Sequence, residues 1–244
     1  MRGILQWGKK RIPAQFKRGP FLRIARVILT PVNNLRILLW TYGQLRSALS
    51  GVSVDRKGSA LPWISYPAID YLSQLDLSNK DVFEFGAGNS TLYWAERTKR
   101  VVSVERDGGW YKKLITKLPA NVSLIHATQD QEFVNTLGKQ KQKFDIILVD
   151  NILRYECVVE AAQHLNIGGM IILDNSEGYV RSARYLREKG LMQVDMIGFA
   201  PAVYSLQATS LFFERNAEFA TTDDVQPKWR EGMTVFPKDW SPEQ

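Results

Sequence analysis

The stretch Asp81-Val82-Phe83-Glu84-Phe85-Gly86-Ala87-Gly88-Asn89-Ser90-Thr91 decides how this chain folds. A short apolar run breaks at Gly86 and Gly88, and a helical pattern follows the turn. The next apolar run, Val101-Val102-Ser103-Val104, ends on an acid, Glu105. This is the order of a strand, a turn whose glycines let backbone come close to a ligand, a helix, and a second strand. The terminal carboxylate of that second strand can accept both hydroxyls of a ribose. Glu105 stands 17 residues after Gly88, near the spacing of a nucleoside-binding βαβ unit. Lone glycine motifs are weak signals, so an ordinary strand-to-helix connection is the competing reading of the turn.

The glycine pattern separates the possible nucleosides. A dinucleotide turn needs a third glycine three residues after the second, so that a pyrophosphate can meet the helix start, and here that position is Thr91. Glu84, two residues before Gly86, suits a ligand with a cationic end better than a polyanion. Glu84-x-Gly86-x-Gly88, with an acid closing the second strand, resembles the cofactor signature of the class I S-adenosylmethionine-dependent methyltransferases. The resemblance implies S-adenosylmethionine as cofactor. Glu84, Gly86, Ala87, Gly88 and Ser90 would hold its methionine end and Glu105 its ribose hydroxyls.

Outward from this unit the pattern alternates. Apolar runs at 81–85, 100–105, 122–126, 144–149, 170–173, 191–197 and 208–213 are separated by helical spacings. These predict helices near 67–75, 90–99, 110–118, 130–138, 155–165 and 179–189. The expected fold is α/β, a Rossmann-like doubly wound, mostly parallel seven-stranded sheet behind an N-terminal helical basic extension. Domain limits are expected at 1–60 for the extension, 61–215 for the body and 216–244 for a loosely packed tail rich in Pro, Asp, Thr and Lys. The lone Cys157, in an apolar helical context, excludes an intramolecular disulfide and reads as a buried small hydrophobe.

Ligands of such sheets collect beyond the carboxyl ends of the strands, and five consecutive strand ends here carry polar residues. They are Glu84 to Ser90, Glu105, His126 to Asp130, Asp150-Asn151 and Asp174 to Glu177. Ala127-Thr128-Gln129-Asp130, Phe144 to Asp150 and Gly168 to Asn175 are similar to segments of the catechol and caffeoyl-CoA type O-methyltransferases. That resemblance implies adenine contacts from Thr128 and Gln129, and a catalytic Asp150 near the methionine amino group. It also implies a magnesium ion on Asp150, Asp174 and Asn175, the hard oxygen donors such a cation takes. The chain departs from the pattern at Leu153, where the family has its lysine base; Arg154 follows and is a poor base. Asp174-Asn175-Ser176 reads alternatively as a helix N-cap. His126 and His164 read as structural. Trp63, Tyr66 and the Gly198–Tyr204 segment are expected at the acceptor, or else in packing.

Charge is uneven along the chain. Of 32 Lys and Arg, ten fall within residues 1–50, which hold no acid; the other 22 face 25 Asp and Glu. The body is therefore not a nucleic-acid-binding surface by charge. Apolar clusters alternate with arginine at 21–29 and 35–40, and Pro31 is expected to break the helix between them. This extension either packs on the body or on a second subunit of a homo-oligomer, or attaches to an anionic membrane with Trp7, Phe21 and Trp40 in the interface. Nucleic acid is the weaker partner, since no reading motif accompanies the charge. The sequence thus predicts a cytoplasmic protein, peripheral at the membrane if the extension attaches there, and the resemblance implies that it methylates a small-molecule, glycan or lipid-linked acceptor on oxygen. The missing lysine leaves open a cofactor-binding domain that works only as a scaffold or partner-binding module.

Overall fold

The computed structural model describes residues 20–223 together with 227 and 233, with side chains described from Val27 onward. Seven strands form one sheet: β1 (Asp81–Phe85), β2 (Arg100–Glu105), β3 (Val122–His126), β4 (Phe144–Val149), β5 (Leu165–Asp174), β6 (Met192–Gly198) and β7 (Gln207–Phe213). Their order is β3-β2-β1-β4-β5-β7-β6. β1 to β5 are parallel, while β7 runs antiparallel between β5 and β6. Helices α1 (Pro20–Arg36), α2 (Gln44–Ser50) and α3 (Tyr66–Leu72) precede the sheet. Between the strands lie α4 (Asn89–Ala95), α5 (Gly108–Ile115), α6 (Asp130–Asn135), α7 (Arg154–His164) and α8 (Val180–Glu188).

The central strands read as unbroken apolar runs because both faces of the sheet are covered. Alternate residues go to opposite layers. Phe83, Phe85, Ile147, Val149, Ile171 and Leu173 pack with Phe133, Val158 and Leu186 of α6, α7 and α8. Val82, Ile146, Leu148, Met170 and Ile172 pack with Ile69 and Leu72 of α3 and Tyr93 and Trp94 of α4. Each such side chain, fully buried, contributes about 1.5–3 kcal/mol. The parallel arrangement brings the carboxyl ends of β1 to β5 to one edge, which is what places the site.

Three local expectations are corrected. Pro31 lies inside α1 without ending it; the neighbouring residues are solvent-exposed, so water can serve the carbonyl that proline leaves without a donor. The helix then relaxes into a π turn over Ile37–Thr41, closed by Tyr42 N–H on the Ile37 carbonyl at 3.1 Å. The limit at residue 60 falls at no structural gap. Leu38 and Tyr42 already pack on the second layer, and the Tyr42 hydroxyl donates to Asp70 at 2.7 Å. The start of the C-terminal tail is also docked: Ala217 and Phe219 pack on the same layer, and Asp76 N–H donates to the Ala220 carbonyl at 2.8 Å. Residues 1–19, with Trp7, and the side chains of Phe21, Arg23 and Arg26 lie outside the described residues. No helix among the described residues is long and apolar enough to cross a membrane.

Candidate active site

The site grows from the turn after β1. Gly86 has φ of 93°, and a Cβ there would stand 2.3 Å from the Asp150 carbonyl oxygen, so the turn can press against the end of β4 only as glycine. Gly86 N–H donates to Val104 at 2.9 Å, and Asp150 N–H donates to Phe85 at 3.2 Å. These bonds lock the ends of β1, β2 and β4 side by side.

Glu84 sits behind this turn rather than beside a ligand. It is fully buried, and its Oε2 accepts from the Thr91 hydroxyl and, at 2.8 Å, from the Ser103 hydroxyl. Thr91 in turn accepts the Gly88 N–H at 3.0 Å, so Glu84 braces the turn through Thr91. Its other oxygen has no hydrogen-bond partner, and burial, the largest influence, pushes its pKa up to about 7. The expectation that Glu84 faces the ligand gives way here to a supporting position.

In front of the turn lies a cavity of about 370 Å³. Gly86 to Ser90, Glu105, Trp110 and Asp150 line it from the sheet side, and Gly51 to Ser53 with the half-exposed Trp63 from the N-terminal side. Two carboxylates and no Lys or Arg stand among these residues. Glu105 is held by three backbone donors: Ala87 N–H on Oε2 at 2.9 Å, and Arg106 and Asp107 N–H on Oε1 at 2.8 and 2.7 Å. Asp107 caps α5 by accepting from Trp110 N–H, and the Trp110 indole donates to the Ala87 carbonyl at 2.7 Å. Asn89 ties the far wall to the turn, donating to the Ser53 carbonyl at 2.7 Å.

Thr128 and Gln129 are exposed and do not line this cavity; Gln129 instead precedes α6. His126 stacks on Tyr111 with ring centroids 4.9 Å apart, and His164 contacts the Glu160 carbonyl one helical turn away at 2.9 Å; neither lines the cavity. Cys157 is buried and its thiol is pushed up to about 12 by that burial. Tyr66 is buried too, donating from its hydroxyl to Gln44 at 2.8 Å, while Trp63 reaches the cavity. Gln44 also accepts Ala202 N–H at 3.1 Å and donates to the Val203 carbonyl at 2.8 Å, pinning the segment between β6 and β7.

Asp150, Asp174 and Asn175 do meet, but around a side chain. The Arg154 guanidinium lies among them, donating through Nη2 to Asp150 Oδ1 at 2.7 Å and Asn175 Oδ1 at 2.8 Å. Its Nε donates to the Asp174 carbonyl at 2.9 Å; its Nη1 donates to the Asn151 carbonyl and to the Tyr179 hydroxyl at 3.1 Å. The Asp174 carboxylate turns the other way, accepting from Thr209 at 2.6 Å and Gln207 at 3.4 Å. Burial first, and the Asp150 charge second, raise Asp174 to about 8; burial also raises Asp150, against the pull of Arg154. The residues therefore do not fit the magnesium ion expected on them, and the described residues hold no cluster of three His, Cys, Asp or Glu that could bind a metal. Nor are residues 174–176 a helix cap, since α8 begins only at Val180.

Sequence reasoning missed the Gly51–Ser53 wall, Trp110 and the place of Arg154. Asp107 three residues before Trp110 is a cap signal that could have marked the indole. The wall carries no such signal.

No family model matches the chain, and no curated protein matches it significantly. Among solved structures, a provisionally assigned O-methyltransferase from Klebsiella pneumoniae aligns with TM-score 0.52 at 16% identity, over 75% of this chain and 96% of that one. NSun6 from Pyrococcus horikoshii aligns at 0.47 and 13% identity, over 63% and 53%. Precorrin 8W decarboxylase from Methanobacterium thermoautotrophicum aligns at 0.46 and 17%, over 68% and 97%. With the strand order found here, the first of these likenesses defines the class I methyltransferase fold.

Proposed function

We propose that the protein is an S-adenosylmethionine-dependent methyltransferase that methylates an oxygen of a small-molecule, glycan or lipid-linked acceptor. The observation that carries this reading is one cavity with Glu105 and Asp150 on its walls, a glycine turn between them and no basic side chain. Such a lining suits a ligand that is cationic and hydroxylated and disfavours a polyphosphate. In this reading Glu105 accepts the ribose hydroxyls and Asp150 the amino group, while Gly86 to Ser90 give close backbone approach. The cofactor, when bound, supplies a methyl group already activated on a sulfonium. The protein's part is then alignment and exclusion of water, for which Trp63 at the cavity mouth is placed.

The extension supports a lipid-proximal acceptor. Val27, Ile28, Leu29, Val32 and Leu35 on α1 and Trp40 beyond it are all more than half exposed, in a segment of ten basic residues and no acid. Apolar side chains among cationic ones suit an anionic membrane surface.

Isothermal titration with S-adenosylmethionine and its demethylated product tests the cofactor assignment. Methyl release in the presence of hydroxylated acceptor extracts then separates an enzyme from a domain that binds cofactor only as a scaffold. Binding without release under every acceptor would favour the scaffold; no binding would end both readings.

A further inference from the structure

Arg154 is the first residue of α7, only 6% exposed, and its guanidinium stacks over the Tyr179 ring with Cζ 4.3 Å from the centroid. A guanidinium has five N–H donors. Here all five are matched, by Asp150 Oδ1, Asn175 Oδ1, the Asp174 and Asn151 carbonyls and the Tyr179 hydroxyl. The acceptors come from the ends of β4 and β5 and from the residue before α8, so one side chain ties together the segments beside the cavity. No donor is left over for a substrate.

We propose that Arg154 is the resident cation of this site: its side chain fills an oxygen cage of the kind a divalent ion takes, and as a positioning residue it holds Asp150 at the cavity wall. Arginine stays protonated in proteins, so this charge is permanent and covalently retained. A buried cation with this many oxygen partners is also hard to remove without consequence. Taking it out leaves the Asp150 carboxylate, about a third exposed at the cavity wall, without its counter-charge and five oxygens converging on one void. Such a set of carboxylate, amide, hydroxyl and carbonyl oxygens is what hard cations bind. The site is therefore independent of divalent metal while Arg154 is present, and becomes a metal site when it is cut back.

The test uses the full chain and manganese alone as the probe, followed by electron paramagnetic resonance and thermal unfolding. Wild type is expected to take up no manganese at this site, and chelator should leave its unfolding temperature and cofactor affinity unchanged. Arg154→Ala should bind manganese at least about ten-fold more tightly than wild type and regain unfolding temperature on adding it, because the ion replaces a buried charge. Adding Asp150→Asn to that variant should abolish both effects. Manganese uptake by wild type at this site, or a folded Arg154→Ala that gains none, overturns the proposal. If Arg154→Ala does not fold, Arg154→Lys decides. With three donors in place of five, it should weaken cofactor affinity by about ten-fold while remaining insensitive to chelator; unchanged affinity overturns the positioning role. The manganese and unfolding readouts need no methyl transfer, so they stand or fall apart from the proposed function. Only the cofactor arm rests on it, and wild-type titration controls that arm.

Discussion

Replacing Glu84 by Gln should make the protein more stable than wild type above neutral pH and leave it nearly unchanged in mild acid. Glu84 is buried behind the glycine turn, with two hydroxyl donors on one oxygen and none on the other. Burial raises its pKa from 4.5 to about 7. Between those values the folded state holds a proton that the unfolded chain has released, so the stability present below the unfolded pKa is lost as pH rises through the folded one. A difference of two to three pKa units corresponds to a loss of about 3 kcal/mol once the carboxyl is ionised. Glutamine removes this loss: its carbonyl can accept from Thr91 and Ser103, and its amide group takes the place of the unpartnered oxygen. Urea unfolding of both proteins at intervals between about pH 5 and 8 reads the effect as a growing gap in favour of the variant. Asp174 titrates within the same window in both proteins and cancels in the comparison. A gap that stays constant with pH, or that grows in favour of wild type, would refute the assignment of a buried protonated Glu84. Cofactor affinity should stay close to wild type, since Glu84 does not line the cavity.

Glu105→Ala should weaken cofactor binding by on the order of ten-fold or more, because hydrogen bonds to a charged group contribute roughly 1.5–3 kcal/mol; calorimetry on the folded variant reads it, and unchanged affinity removes the ribose assignment. Gly86→Ala should destabilise the protein by at least about 2 kcal/mol in urea, through the left-handed φ and the overlap with the Asp150 carbonyl; near-native stability would mean the turn is looser than drawn. The full chain should sediment with acidic liposomes and lose that binding as salt rises. Equal sedimentation with neutral vesicles, or none with acidic ones, would leave α1 a packing element.

What the sequence determined by itself is the alternation and the turn. Strands buried on both faces must be apolar throughout, and helices between them must show a 3.6-residue period, so the layered parallel sheet is written locally. The glycines at 86 and 88 and the acid at 105 are legible for the same reason, since backbone approach and a strand-end carboxylate are properties of short segments. Tertiary structure alone decided which way the polar groups face. Glu84 reads as a ligand residue in a linear motif, but β1 is a central strand and turns that side chain under the turn, where the Thr91 and Ser103 hydroxyls donate to it. Asp150, Asp174 and Asn175 read as an open set of oxygens until the start of α7 delivers Arg154 among them. The cavity wall at Gly51 to Ser53 is tied to the glycine turn by a bond from Asn89, 36 residues further along the chain. Side-chain direction at a strand end depends on what the neighbouring elements bring to it, and that information is not local in the chain.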